Sequence, residues 1–109
     1  MQKLHVALSV DDISASVSDY SVRLGCEPVL VIDKAYALWR TETVNLSIRQ
    51  VGDGTSGSLR HLGWEDDQAE TSTAEVDVNG IVWERFAAHH QADEISEIWP
   101  ETDYCVKDE

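Results

Sequence analysis

The sequence predicts an α+β fold, and three patterns carry that reading. Val6, Leu8 and Val10 alternate with His5, Ala7 and Ser9, the period of two that marks a strand with one face in a core. Ile13, Val17, Tyr20 and Leu24 then recur at three- and four-residue steps, the spacing of one helix face. Beyond Pro28, three short runs rich in β-branched residues are separated by polar breaks.

Each element has its own signals. Asp11 and Asp12 can cap a helix over 12–24, and Gly25 supplies its stop, because glycine adopts the left-handed conformation that ends a helix. Val29 to Ile32 reads as the second strand, with Asp33-Lys34 as the break after it. Ala35 to Arg40 and Thr43 to Arg49 form two more strands about a tight Thr41-Glu42 turn. The order is β, α, β, β, β.

Gly52 to Ser58 is rich in turn formers and joins this module to the rest of the chain. Downstream, Ala74, Val76 and Val78 alternate with Thr73, Glu75 and Asp77. Ile81, Val82 and Phe86 then give helical spacing up to Gln91. Ile95 to Trp99 suits a strand, and Tyr104-Cys105-Val106 a further start. The whole chain, 1–109, is therefore expected to be one domain: a first βαβββ module over 1–50, a connection over 51–71, and a partial second module, βαβ(β), over 72–109. Such a length buries about two thirds of the unfolded surface around one core.

Composition narrows the function classes. Hydrophobic residues make up 42% and charged residues 27%, ordinary values for a folded domain. Acidic residues outnumber basic ones by 21 to 8, for a net charge of −13. Such a surface repels phosphate backbones and anionic headgroups, so neither nucleic acid nor membrane is an expected partner. The plain reading of the acidity is solubility, with attraction of cationic ligands as the lesser option. The first ten residues lack a secretory core and no apolar run approaches membrane-spanning length, which leaves a cytoplasmic location as the default. Cys26 and Cys105 are too few and too far apart for a disulfide framework or metal knuckle, and two reduced thiols are expected.

The run Leu4-His5-Val6-Ala7-Leu8-Ser9-Val10-Asp11-Asp12-Ile13, followed by Ser16-Val17, Tyr20 and Leu24-Gly25, resembles the opening of vicinal oxygen chelate proteins, the superfamily of glyoxalases, bleomycin resistance proteins and extradiol dioxygenases. The resemblance covers about the first half of the chain. It implies a curved mixed sheet built from two βαβββ modules, often across a homodimer, forming a cup for a small molecule. A divalent metal sits in that cup on ligands from several strands.

His5 occupies the family's first-strand ligand position. The fourth-strand position, often Glu in the family, holds Asn45, and an amide is a weaker ligand than a carboxylate. The family's last Glu comes from an eighth strand after an Asp-Pro-Asp-Gly turn; here Asp108-Glu109 ends the sequence, and that strand is expected to be missing.

The fifth strand has two registers. With Arg60 to Trp64 as strand five, His61 matches the family histidine, and His5 with His61 could hold Zn, Fe, Ni or Mn. With Thr73 to Val78 as strand five, Thr73 stands at the ligand position and no metal pair forms. The second register is the one expected, since it leaves no insertion before the helix. It makes Arg60 to Glu65 part of a long connection, in which Leu59, Leu62 and Trp64 suggest an additional strand. In that register Glu75 would point into the cup as a general base or cation partner, against its plainer reading as a solvated strand residue.

Tyr36, Trp39, Asn45, Ser47 and Trp64 are the candidate ligand-binding residues, with Trp39 weighed against simple core packing. Trp83 is expected in the core, and His89 and His90 at the surface near a helix end. The reading that results is a small-molecule-binding protein with a lost or weak metal site. The alternative is a metal-dependent lyase or dioxygenase using His5 and His61, and a third option is an assembly module pairing through an exposed sheet edge.

Overall fold

Asp12 accepts the backbone N–H of Ala15 at 3.0 Å, so the capping carboxylate does start the first helix, α1 (Ile13–Leu24). Gly25 ends it at φ 73°, where a side chain would be strained. The computed structural model describes residues 1–106, and Asp108 and Glu109 lie outside the described residues. Within it α1 follows strand β1 (Gln2–Val10) and precedes β2 (Leu30–Ile32), β3 (Tyr36–Arg40) and β4 (Val44–Gln50), the order expected from the sequence. Then come β5 (Leu59–Asp66), β6 (Thr73–Val76), β7 (Val82–Phe86) and the second helix α2 (Ala88–Ile98).

All seven described strands join one sheet, ordered β2-β3-β4-β1-β5-β7-β6. β4 runs parallel to β1, which the α1 crossover makes possible, while β3 and β2 turn back as antiparallel neighbours. β1 also pairs antiparallel with β5, with His5 opposite Gly63 and Ala7 opposite His61. β7 then lies parallel to β5 and antiparallel to β6.

The two helices cover opposite faces of the first half. Ile13, Val17, Tyr20 and Leu24 of α1 pack with Val10, Ala37, Trp39 and Ile48. On the other face, Ile95 of α2 packs on Tyr36 and Leu38, with Trp99 beside them. Side chains alternate along each strand, so β3 feeds both layers: Ala37 and Trp39 toward α1, Tyr36 and Leu38 toward α2.

The second half departs from the sequence reading in four places. Thr73–Val76 is not the fifth strand but an edge strand; β5 is the run Leu59–Asp66, inside the supposed connection. Residues 82–86 are a strand rather than part of a helix, because Asp77 binds the backbone of Asn79 and Ile81 and closes a turn ahead of them. The helix lies later, at Ala88–Ile98, where a strand at 95–99 was expected. Residues 102–106 form no strand. His89 and His90 accordingly sit in the first turn of α2, where the His90 Nδ1 accepts the Ala87 N–H at 2.9 Å.

Candidate metal centre and pocket

The alternation of β1 turns His5, Ala7 and Ser9 to the face that α2 covers, and the register with β5 brings His61 onto the same face. The His5 and His61 Nε2 atoms lie 3.0 Å apart. Glu84 reaches them from β7, its Oε1 standing 3.2 Å from the His61 Nε2. All three ligand atoms fall within 4.8 Å of one another. Gly63 permits this approach: a Cβ added there would collide with the Glu84 carbonyl oxygen, so any other residue would push β7 away.

Hydrogen bonds fix the His5 tautomer. Its Nδ1 faces two oxygens, the Asn45 Oδ1 at 2.9 Å and the Asn45 carbonyl at 3.2 Å, and so must carry the proton. The Nε2 lone pair is left facing His61. Asn45 is held in turn, donating from Nδ2 to the Glu65 Oε1 at 2.9 Å and to the Gln91 Oε1 at 2.8 Å. Glu65 closes the series in a paired contact with Arg40, at 2.7 and 2.8 Å, in which both side chains are buried. Phe86 packs edge-to-face with His5 at a centroid distance of 4.9 Å.

The electrostatics follow from this packing. Burial lowers the His5 pKa below its ordinary value, so the ring is neutral near pH 7. The hydrogen bond from His61 is the main cause that holds the Glu84 carboxyl below its usual range. Burial acts to raise Glu65, but the Arg40 and Asn45 hydrogen bonds outweigh it and lower its pKa. Burial pushes the Tyr36 phenol up to about 12.

Beside the histidines a cavity of about 70 Å³ opens, lined also by Tyr36, Ser47, Arg49, Arg60, Glu94 and Trp99. Of the residues expected at a ligand site, Tyr36 and Ser47 line this cavity, and Asn45 is fully buried behind His5. Trp39 does not: it lies on the opposite face, wholly buried under α1, with its Nε1 donating to the Cys26 carbonyl. Trp64 also points away, lining a second cavity, of about 300 Å³, with Trp83, Thr73 and Glu75. Trp83 is half-buried there and donates to Asp77 at 2.8 Å. Glu75 is exposed on the edge strand and faces away from the cup, because β6 pairs it with Trp83 rather than with Glu84.

Sequence reasoning missed Glu84, Arg49, Arg60 and Gln91. For Glu84 a signal was present. Asp77-Val78-Asn79-Gly80 matches the Asp-Pro-Asp-Gly turn of the resemblance at its first and last residues, and Asn-Gly is a strong hairpin marker. The strand after that turn carries Glu84 and lies beside β5 as β4 lies beside β1.

No protein-family model and no curated protein sequence matches the chain. Among solved structures, it is similar to an NAD-dependent benzaldehyde dehydrogenase from Legionella pneumophila, at 12% identity and a TM-score of 0.53, over 77% of this chain and 97% of that one. It is also similar to a glyoxalase / bleomycin resistance protein from Catenulispora acidiphila DSM 44928, at 21% identity and a TM-score of 0.44, over 76% and 96%. At 12% identity the first likeness concerns fold alone. The complete βαβββ unit, with β1 parallel to β4 and antiparallel to a second unit's opening strand, gives this chain the vicinal oxygen chelate fold.

Proposed function

We propose that His5, His61 and Glu84 hold one divalent metal ion, and that the chain binds and transforms a small oxygen-bearing molecule beside it. The observation that carries this reading is the convergence of two imidazole nitrogens and one carboxylate oxygen at 3.0 and 3.2 Å. Donors that share a first-row metal at bond lengths of about 2.1 Å stand roughly 3.0 to 3.4 Å apart, depending on geometry. Two histidines and a carboxylate also form the set that non-haem iron oxygenases use, and three protein donors are the number that leaves positions for substrate. The donor set suits Zn, Fe, Mn or Ni.

When bound, such an ion would act as a Lewis acid on a substrate oxygen. The protein's own groups do the rest. Asn45 holds the His5 proton on Nδ1 and so keeps Nε2 free. Glu65 and Gln91 stop Asn45 from rotating, and Tyr36 and Ser47 offer hydroxyls at the cavity wall. This favours metal-dependent lyase or dioxygenase chemistry over a relic with a lost site. Asn45 at the fourth-strand position then serves as the partner that orients a ligand rather than as a weakened ligand. Both cysteines are free thiols, in keeping with a reducing, cytoplasmic setting.

Elemental analysis of protein purified without chelator tests the proposal. One equivalent of metal per chain is expected, falling to background in His5→Ala, His61→Ala and Glu84→Ala. Protein that arrives metal-free, and takes up neither Zn, Mn nor Fe(II) in calorimetric titration, would overturn it.

A further inference from the structure

The basic residues of this acidic chain are not spread evenly in their duties. Arg40 is paired with Glu65, Arg85 with Asp66 and Arg23 with Asp19, while Lys3 donates to the Thr41 and Glu42 carbonyls. Arg49 and Arg60 make no ion pair among the described residues, and both line the cavity beside the histidines. They come from different strands, β4 and β5, that flank β1 and His5.

Arg49 is held in place, its guanidinium 5.3 Å from the centre of the Trp99 ring, and Trp99 itself packs against Tyr36 in a tilted arrangement at 4.9 Å. A cation bound to a ring face keeps its in-plane N–H donors free for an acceptor. Arg60 is exposed at the mouth, and its charge is felt at both Tyr36 and Glu84. The opposing charges in the cavity are Glu84 and Glu94. With Glu84 engaged by a divalent ion, the cavity carries a net positive charge on a protein whose net charge is −13.

We infer that the molecule bound beside the metal centre is a small organic anion, whose carboxylate is gripped by Arg49 and Arg60 while a neighbouring oxygen faces His5, His61 and Glu84. The inference rests on the metal reading for that second contact. Guanidinium forks match a carboxylate with paired hydrogen bonds, which an uncharged isostere cannot reproduce at equal strength. The apolar wall of Phe86, Ile95 and Trp99 suits the carbon skeleton, and the cavity volume of about 70 Å³ limits it to a few atoms inside, with the remainder at the open mouth.

Matched acids and amides test this. Glycolate, lactate and benzoate, each against its amide, are titrated into zinc-loaded protein by calorimetry. At least one acid is expected to bind about tenfold more tightly than its amide. In R49Q/R60Q that ratio should fall to near one, while zinc stoichiometry stays at the wild-type value. Acids and amides binding alike, none of the acids binding, or an acid preference that survives in R49Q/R60Q would each overturn the inference. If the wild-type chain takes up neither Zn, Mn nor Fe(II), the metal reading fails by that observation alone. The acid and amide comparison is then read on metal-free protein, where a preference lost in R49Q/R60Q still supports the anion site and its absence refutes it.

Discussion

The two halves of the sheet are related by a local twofold axis between β1 and β5, and they have been put to different uses. A shift of 56 residues carries His5 onto His61, and the strand registers extend the match from β4 to β7 and from β3 to β6. On the face that α1 covers, the first half has Ala37, Trp39, Leu46 and Ile48, and the second half has Thr73, Glu75, Trp83 and Arg85 at the matching places. Between β5 and β6 there are only residues 67–72, too few for a helix and a strand. With no helix to cover it, that face has turned largely polar, as a sheet surface facing water must.

The cup face differs in another way. The histidines match, but Ser47 in the first half corresponds to Glu84 in the second, so the acidic donor comes from one side only.

The sharpest test of the comparison is Trp39→Ala against Glu75→Ala. The first empties a fully buried site and should cost about 3 to 5 kcal/mol in denaturant unfolding. Its counterpart should stay within about 0.5 kcal/mol. Near-equal losses would mean that the second face is covered after all.

Next in size is the buried Arg40–Glu65 pair, which has no counterpart in the second half. Arg40→Ala leaves Glu65 unpaired and should destabilise by about 3 to 5 kcal/mol if the carboxylate stays buried, less if it rotates to solvent. The pH dependence has a definite sign. The folded-state pKa of Glu65 is below its unperturbed value of 4.5, so its stabilisation is full above that value and is lost as pH falls through the lower, folded-state one. A plot of unfolding midpoint against pH should therefore drop in acid, with a shallower drop in Glu65→Gln.

A smaller effect is expected of Asn45→Ala, which leaves every proposed ligand in place but frees the His5 ring. Zinc affinity should fall by about 10- to 100-fold. Unchanged affinity would show that the backbone carbonyl at position 45, together with Phe86 packing, is enough to orient the imidazole. Gly63→Ala is the companion from the second half, since displacing β7 should weaken zinc binding through Glu84 while the His5 hydrogen bonds persist.

Much of the first half was legible because its signals are local and agree with one another. The Asp12 cap, the Gly25 stop and the period of two in β1 and β4 each specify a structure within a few residues. The second half was not, because Ile81, Val82 and Phe86 have a spacing compatible with either element, and no nearby residue fixes the period. What settled it is non-local: β7 is held by β5, whose own place depends on β1. Trp39 and Tyr36 illustrate the same limit. The strand predicts that their environments differ, since they are three apart and face opposite ways, but not which of the two faces holds the cavity.

The β1–β5 seam also has a thermodynamic meaning. It is the main join between the halves, and both imidazoles project from it, so anything that grips the pair also grips the seam. An ion held there would favour the assembled state by mass action, by about 2.7 kcal/mol at a hundredfold excess over its dissociation constant. Amide exchange across Val6 and Leu62 would then slow with metal concentration, and the atoms proposed to hold the ion would set how often the sheet comes apart.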